Sequence, residues 1–283
     1  MIRVESVHYR YTSHGAPPVL ALQGVNAEFH RGQLTVLFGH NGCGKSTLAR
    51  HLNVLLRAAS GDVWVDELNT RDRGRVWEIR RRVGMVFQNP DNQIVASPVE
   101  DDIAFGVENL GVEPREMQSR IDEVLALLDL QDLRDREPHL LSGGQKQLVS
   151  IAGVLAMRPD YLVLDEPTSL LGPDDRQAVL GVVERLAHES GLGVILITHH
   201  MDEAVRADRV LVMEAGRVVL HGTPREVFSQ VELVRNLKLD VPPITQVAFE
   251  LRSAHGLAIR PDTLTLDELL AQVIPQLAPA PWR

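Results

Sequence analysis

The stretch Gly39 to Thr47 reads G-H-N-G-C-G-K-S-T and constrains the fold more than any other part of the chain. It fits the pattern GxxxxGK[ST] without a mismatch. It follows an apolar run, Leu34-Thr35-Val36-Leu37-Phe38, that reads as a buried strand, and Ser46 to Leu56 behind it reads as a helix. In such a strand–loop–helix, successive backbone N–H groups turn inward around a triphosphate. Gly39, Gly42 and Gly44 let the backbone approach closely, and the helix N-terminus adds partial positive charge. With Asn41 and Thr47 they form the candidate cradle; Lys45 reaches the outer phosphates and the Ser46 hydroxyl coordinates Mg²⁺. A plain glycine-rich turn is the competing reading, and the flanking strand and helix weigh against it.

Lysine usage points to the same loop. Of 29 basic residues only Lys45, Lys146 and Lys238 are lysines, leaving 26 arginines. The loop keeps a compact ammonium on a flexible stem where a planar fork would not fit. The one cysteine, Cys43, lies in the same loop, so no intrachain disulfide exists, and it reads as a small residue that fits rather than a redox switch. At 283 residues, 44% hydrophobic and 24% charged, the chain suits one large domain, or one large and one small. A net charge of −9 without a basic block argues against nucleic acid as a partner. No apolar run approaches the roughly 18 residues that span a bilayer, and the N-terminus lacks a signal-peptide profile. The expectation is a cytoplasmic chain able to dock on a membrane protein.

Ile2 to Tyr11 alternates as a strand, Ser13 to Pro18 is a turn-rich loop, and Leu20 to Phe29 is a second strand. Tyr9 and Tyr11 end the first strand upstream of the loop. Either could stack on an adenine ring, or both could be edge-strand tyrosines. Ser60 to Val65 reads as a strand and Arg71 to Arg82 as a basic, solvated helix and turn. Val83 to Phe87 is a short buried strand ending at Gln88, on the ligand side of an α/β sheet. From Ile94 to Met157 helical periods take over, with Pro114 at a helix start and Ile121, Val124, Leu125 and Leu128 on one face. Ser142-Gly143-Gly144-Gln145 then precedes a helix whose expected apolar face is Leu148, Ile151, Ala152 and Leu155. It is either a second anion cradle or a simple cap.

Tyr161 to Glu166 is a buried strand ending in two carboxylates, Asp165 and Glu166, a pair that is costly to bury without partners. Val194 to Ile197 is another, followed by His199, which either contacts a terminal phosphate or is a packed histidine. Val210 to Met213 and Val218 to Leu220 form a hairpin. Pro242-Pro243 marks a boundary, beyond which two short amphipathic helices follow. One carries Ile244, Val247, Ala248 and Leu251; the other, after a Thr265–Glu268 capping box, carries Leu269, Leu270, Val273 and Ile274. Two such helices cannot form a core alone.

The order of these motifs (phosphate loop, Gln88, Leu141-Ser142-Gly143-Gly144-Gln145, acidic strand to Glu166, His199) resembles the nucleotide-binding subunit of ABC transporters over roughly residues 1 to 240. Gln88-Asn89-Pro90-Asp91-Asn92-Gln93 and Glu100 to Gly111 are similar to the ATPase, or A component, of energy-coupling-factor importers, cobalt and nickel members included. The tail from Val241 resembles that family's C-terminal extension, which helps pair two ATPases. The resemblance implies an α/β P-loop NTPase core with an antiparallel β subdomain, a helical subdomain at about 94–158 and a small helical extension at 241–283. It implies two subunits head to tail, identical or mixed, with ATP between the phosphate loop of one and Ser142, Gly143, Gly144 and Gln145 of the other. Glu166, Gln88 and His199 are then the catalytic residues, Tyr11 the adenine contact, and Ser46, Asp165 and Gln88 the Mg²⁺ side. The implied partners are a transmembrane scaffold (T component) and a substrate-capture membrane protein (S component). The implied place is the cytoplasmic face of the membrane, and the implied cargo a vitamin or a metal ion such as cobalt or nickel.

Two positions depart from the pattern. Gly172 stands where an aspartate usually follows the loop after Glu166, and Leu148 where an arginine usually follows the signature. The competing functions are an ATPase of another ABC transporter, a soluble ABC ATPase acting on ribosomes or DNA, a non-hydrolysing subunit that only closes on ATP, and a small-molecule kinase.

Overall fold

The structure is a computed structural model describing residues 1–12 and 17–277; part of the Ser13–Pro18 loop and the last six residues of the expected extension lie outside them. The chain opens with β1 (Ile2–Tyr11) and β2 (Val19–Phe29), then β3 (Leu34–Phe38) and α1 (Lys45–Leu52). After β4 (Ser60–Val65) and β5 (Leu68–Asn69), α2 (Val76–Arg82) runs into β6 (Val83–Val86). Helices α3 (Val99–Asn109), α4 (Pro114–Leu127) and α5 (Gly143–Leu155) follow. Then come β7 (Tyr161–Asp165), α6 (Pro173–His188), β8 (Gly193–Thr198), α7 (Met201–Ala204) and the hairpin of β9 (Arg209–Glu214) and β10 (Arg217–Gly222). The tail carries α8 (Pro224–Phe228), α9 (Val231–Asn236), α10 (Pro243–His255) and α11 (Leu266–Leu277).

Two sheets result. One is antiparallel, in the order β2-β1-β4-β5; the other runs β10-β9-β3-β8-β7-β6, parallel except for β10. Every residue of β3, β6, β7 and β8 is buried. That is why these strands are unbroken apolar runs rather than alternating ones: a parallel sheet is covered on both faces. Leu34, Val36 and Phe38 face the helices, while Leu37 packs with Leu48, Ala49 and Leu52 of α1 and with Ile2, Leu22 and Val63 of the antiparallel sheet. The helix behind the phosphate loop is therefore held between the two sheets. The parallel register sets Phe38 beside Thr198 and Val212, Asp165 beside Ile197, and Val86 beside Leu164. The carboxyl ends of four strands thus align at one edge. Among the described residues no helix is long and apolar enough to cross a membrane.

One expectation is corrected. The helix behind the loop ends at Leu52, not Leu56. Asn53 Oδ1 accepts from Leu55 N–H at 3.2 Å, and Val54 turns left-handed at φ 60°, so the backbone leaves the helix there. On α5 the expected apolar face does turn inward: Ile151, Ala152 and Leu155 are buried and the half-buried Leu148 packs against the same core, with Gln147, Val149, Ser150 and Val154 buried beside them. In the tail, Ala248, Ile259 and Leu269 form a small cluster of their own with Val273 packed against it, while Leu270 and Ile274 of the expected apolar face are 42% and 61% exposed within this chain.

The tail is tied down by charge. Arg225 of α8 grips both oxygens of Glu268, and Leu264 N–H donates to the same carboxylate at 3.0 Å. The Arg225 guanidinium first, and that N–H second, pull the Glu268 carboxyl down to about 2. Because the folded value is depressed, this stabilisation is fully present above the usual carboxylate range and is lost as pH falls from there towards 2. Glu268→Gln is expected to cost about 1 kcal/mol in urea unfolding at pH 7, and the gap to the parent should shrink steadily at pH 4 and below.

Candidate functional site

The aligned strand ends build the site. The phosphate loop leaves β3 after Phe38 and enters α1 with Gly44 as its cap, at φ 110°. Gly44 is fixed twice over: its backbone is left-handed, and a Cβ there would stand 2.6 Å from Ala21 O. Gly39, also at positive φ, would meet Met213 O at 2.4 Å. Lys45 is 4% exposed, its ammonium donating to Gly39 O at 2.7 Å and His40 O at 2.9 Å. Cys43 is buried beside it, and burial pushes its thiol up. This fits a packed residue rather than a reactive one.

Around the loop is an open cleft of about 230 Å³, lined by Tyr11, Val19, Leu20, Ala21, Asn41, Gly42, Gly44, Lys45, Ser46, Thr47 and Glu166. Tyr11 is 38% exposed and its hydroxyl lies 3.3 Å from Thr47 Oγ1. Tyr9 turns inward, packing edge-on against Tyr11 and His51. The two tyrosines are thereby told apart: Tyr11 is on the cleft and Tyr9 is behind it. Val19 and Leu20, exposed at the start of β2, add an apolar wall that the sequence reading had not singled out. In the sequence their only mark is their place directly after the turn-rich Ser13–Pro18 loop.

Ser46 Oγ donates to Asp165 Oδ1 at 2.8 Å. Asp165 is 6% exposed; burial pushes its carboxyl up, and the Ser46 hydroxyl pulls it part of the way back. A hydroxyl beside one buried carboxylate, with no group of three His, Cys, Asp or Glu among the described residues, is not an all-protein metal cage. It does fit Mg²⁺, which takes one or two protein oxygens and completes its shell with phosphate and water.

Glu166 stands at the centre of a second cluster. Gln88 Nε2 approaches its Oε2 at 3.4 Å and donates to Ser169 Oγ at 3.0 Å; His199 Nδ1 lies 3.5 Å from its Oε1. Three strand ends, of β6, β7 and β8, bring these groups together. Glu166 itself is left-handed, at φ 49°, a conformation that costs a non-glycine residue energy and recurs at functional sites. Behind Gln88, Lys146 pairs with Asp91 at 2.7 Å and Gln93 Nε2 donates to Ser150 O at 3.4 Å, tying that loop to α5. Neither tie was legible in the sequence.

The signature is elsewhere. Ser142 caps α5 in a reciprocal box with Gln145, and none of Ser142, Gly143, Gly144 or Gln145 lines the cleft. Within one chain, then, the expected site residues fall into two groups on different parts of the surface.

A protein-family model described as ABC transporter matches residues 22–169. The chain belongs to the ABC transporter family. It is 56% identical over 273 residues to the energy-coupling factor transporter ATP-binding protein EcfA1 of Symbiobacterium thermophilum, across 95% of both chains. The solved structure of cbiO1 from Clostridium perfringens, described as part of the ABC transporter complex cbiONQ, matches with a TM-score of 0.75 and 38% identity over 87% of this chain and 97% of that one. A dimeric ATP-binding cassette bound to ADP and phosphate after hydrolysis matches with a TM-score of 0.71 and 27% identity over 79% of this chain and 98% of that one. The likeness is to the energy-coupling factor branch of the family. As an ABC ATPase the chain binds and hydrolyses ATP.

For this ABC ATPase, Gly44→Ala forces a Cβ against Ala21 O from a left-handed backbone. The expected cost is roughly 1–3 kcal/mol in thermal unfolding, together with loss of binding of a fluorescent ATP analogue.

Proposed function

We propose that the chain is one of a pair of ATPase subunits, identical or mixed, that power an energy-coupling-factor type importer of a vitamin or a transition-metal ion such as cobalt or nickel. The observation that carries this is the split site: the phosphate loop and the acidic strand share one cleft, while Ser142 to Gln145 lie outside it. ATP then sits between the phosphate loop of one subunit and the signature of the other.

The roles follow from the chemistry of each group. Tyr11 stacks on adenine. Gly39, Asn41, Gly42, Gly44 and Thr47 cradle the phosphates with backbone and side-chain donors, and Lys45 neutralises the outer ones. Ser46 and Asp165, with Gln88 nearby, hold Mg²⁺, which when bound offsets charge on the phosphates. Glu166 accepts the proton of the attacking water, Gln88 orients that water, and His199 donates to the γ-phosphate. Ser142, Gly143, Gly144 and Gln145 serve the partner's nucleotide. Phosphoryl transfer is mostly positioning and charge stabilisation, so a site divided across an interface ties hydrolysis to closure.

The membrane side is read from the loop after β6. Phe87, next to Gln88, and Val95, further along the same loop, are 37% and 62% exposed, and Phe105 on α3 is 50% exposed; these apolar side chains suit the transmembrane scaffold, and the substrate-capture protein joins through that scaffold. The chain thus works at the cytoplasmic face of the membrane, with residues 1–240 as the nucleotide-binding domain, its helical subdomain at about 94–158, and 241–283 as a pairing extension. The exposed Leu266, Leu270, Ile274 and Leu277 recur at helical spacing on α11 and supply the apolar stripe for that pairing.

Two experiments test this reading. Glu166→Gln should keep ATP binding, lower phosphate release at least about 100-fold and accumulate a closed dimer; unchanged turnover in the assembled transporter would refute it. Leu270→Lys with Ile274→Lys places two charges on the stripe. It should leave the melting temperature within a few degrees of the parent while raising the dimer dissociation constant by about tenfold or more in light scattering. A dimer of parental affinity would exclude the tail from pairing.

A further inference from the structure

The N-terminus of α5 carries the groups that the proposed function offers to the partner's nucleotide, and the chain's own groups already hold its donors. Ser142 N–H donates to Gln145 Oε1 at 3.0 Å and Gln145 N–H to Ser142 Oγ at 3.2 Å. Gly144 N–H donates to Asp175 Oδ2 at 3.2 Å. Asp175 comes from the first turn of α6, so one carboxylate serves the positive ends of two helices. The approach is close enough that a Cβ on Gly144 would stand 2.5 Å from Asp175 Cγ.

The segment bearing Asp175 is fastened at its other side. Thr168 Oγ1 donates to Glu203 Oε1, and Arg176 Nε donates to the same oxygen at 2.8 Å; Glu203, on α7, is fully buried. α7 follows His199 directly. Residues 168–176 therefore form a strap between the His199 end of the cleft and the signature helix. Gly172 lies within it, capping α6 without a side-chain hydrogen bond and with open space where its Cβ would be.

We propose that Asp175 is an internal competitor for phosphate: its carboxylate holds the Gly144 N–H and must withdraw before a nucleotide phosphate on the partner subunit can take that donor. This rests on the reading that Ser142 to Gln145 face the partner's ATP. One N–H does not serve two anions at full strength, and a phosphate brought up beside the carboxylate meets like charge in a closing, water-poor interface. Withdrawal of Asp175 shifts the first turn of α6, and the Arg176–Glu203 pair carries that shift towards His199 of the same chain. Gly172 leaves the turn free of a side-chain cap that would resist the movement.

The test uses the full chain carrying Glu166→Gln, titrated with ATP and Mg²⁺ while dimer formation is followed by light scattering. Adding Asp175→Asn, which keeps the shape and an acceptor for Gly144 but removes the charge, is expected to lower the half-saturating ATP concentration by about tenfold. Asp175→Ser, smaller and uncharged, is expected to shift it in the same direction and covers the case in which the asparagine variant does not fold. An unchanged or raised half-saturating concentration in folded variants that still dimerise overturns the competitor role and leaves the split site standing. Absence of ATP-dependent dimers in the Glu166→Gln chain itself overturns the split site, and the competitor role with it.

Discussion

The alignment of strand ends in the parallel sheet is the constraint on which the rest depends. Phe38 is in register with Thr198, and Asp165 with Ile197. A strand advances about 3.3 Å per residue, so a slip of one pair would carry the carboxylate that follows a strand out of hydrogen-bond reach of the loop. Such a slip would also turn every side chain to the opposite face. In β3, β7 and β8 every residue is buried, so a slip would have to refit side chains of different shape on both faces at once, which close packing resists. Precision at Ser46, Asp165 and Glu166 is thus a consequence of apolar packing well below them.

Packing also decides which tensions the site can hold. Glu166 is kept left-handed by its place between β7 and the turn that follows, where its own N–H donates to Ile197 O and Ser169 N–H donates to its carbonyl. That backbone aims the carboxylate at Gln88 and His199. Asp165, one residue earlier, points the other way, to Ser46. The change of backbone at the end of β7, from extended at Asp165 to left-handed at Glu166, is what lets two adjacent acids take two different tasks.

The fold and half of the candidate site were legible in the sequence because their signals are local. The phosphate loop, Gln88, the Asp165-Glu166 pair and His199 each sit at the end of a short apolar run, and a run with a polar end can be recognised without knowing its neighbours. The choice between Tyr9 and Tyr11 could not be made that way, because alternation gives which face a residue takes and not what covers that face. The end of α1 was missed because an Asn-Val turn competes with the helix through a side-chain bond that propensity does not show. Periodicity put Leu148 on the apolar face of α5 and Leu270 and Ile274 on that of α11, yet the first packs against the core and the other two stand exposed. Periodicity finds the apolar stripe, and only the tertiary structure says whether anything lies on it.

Gly172 illustrates how a departure from a pattern acquires meaning only from its surroundings. As a sequence feature it is a missing carboxylate in the loop after Glu166. In the fold the charge reappears one turn of helix later, in Asp175, directed not outward but at Gly144 of the same chain. No atom lies within 4 Å of a Cβ built at position 172, so a side chain there would start into open space, whereas the carboxylate at 175 accepts from Gly144 N–H at the start of α5. The charge at 175 is therefore directed to the subunit's own signature helix. The strap from Thr168 to Arg176 is bonded at both sides, to Glu203 and to Gly144. Two half-sites on one chain that share no cleft are nevertheless joined by one short, doubly anchored segment. In a head-to-tail pair that is the segment through which occupancy of one nucleotide would be felt at the other.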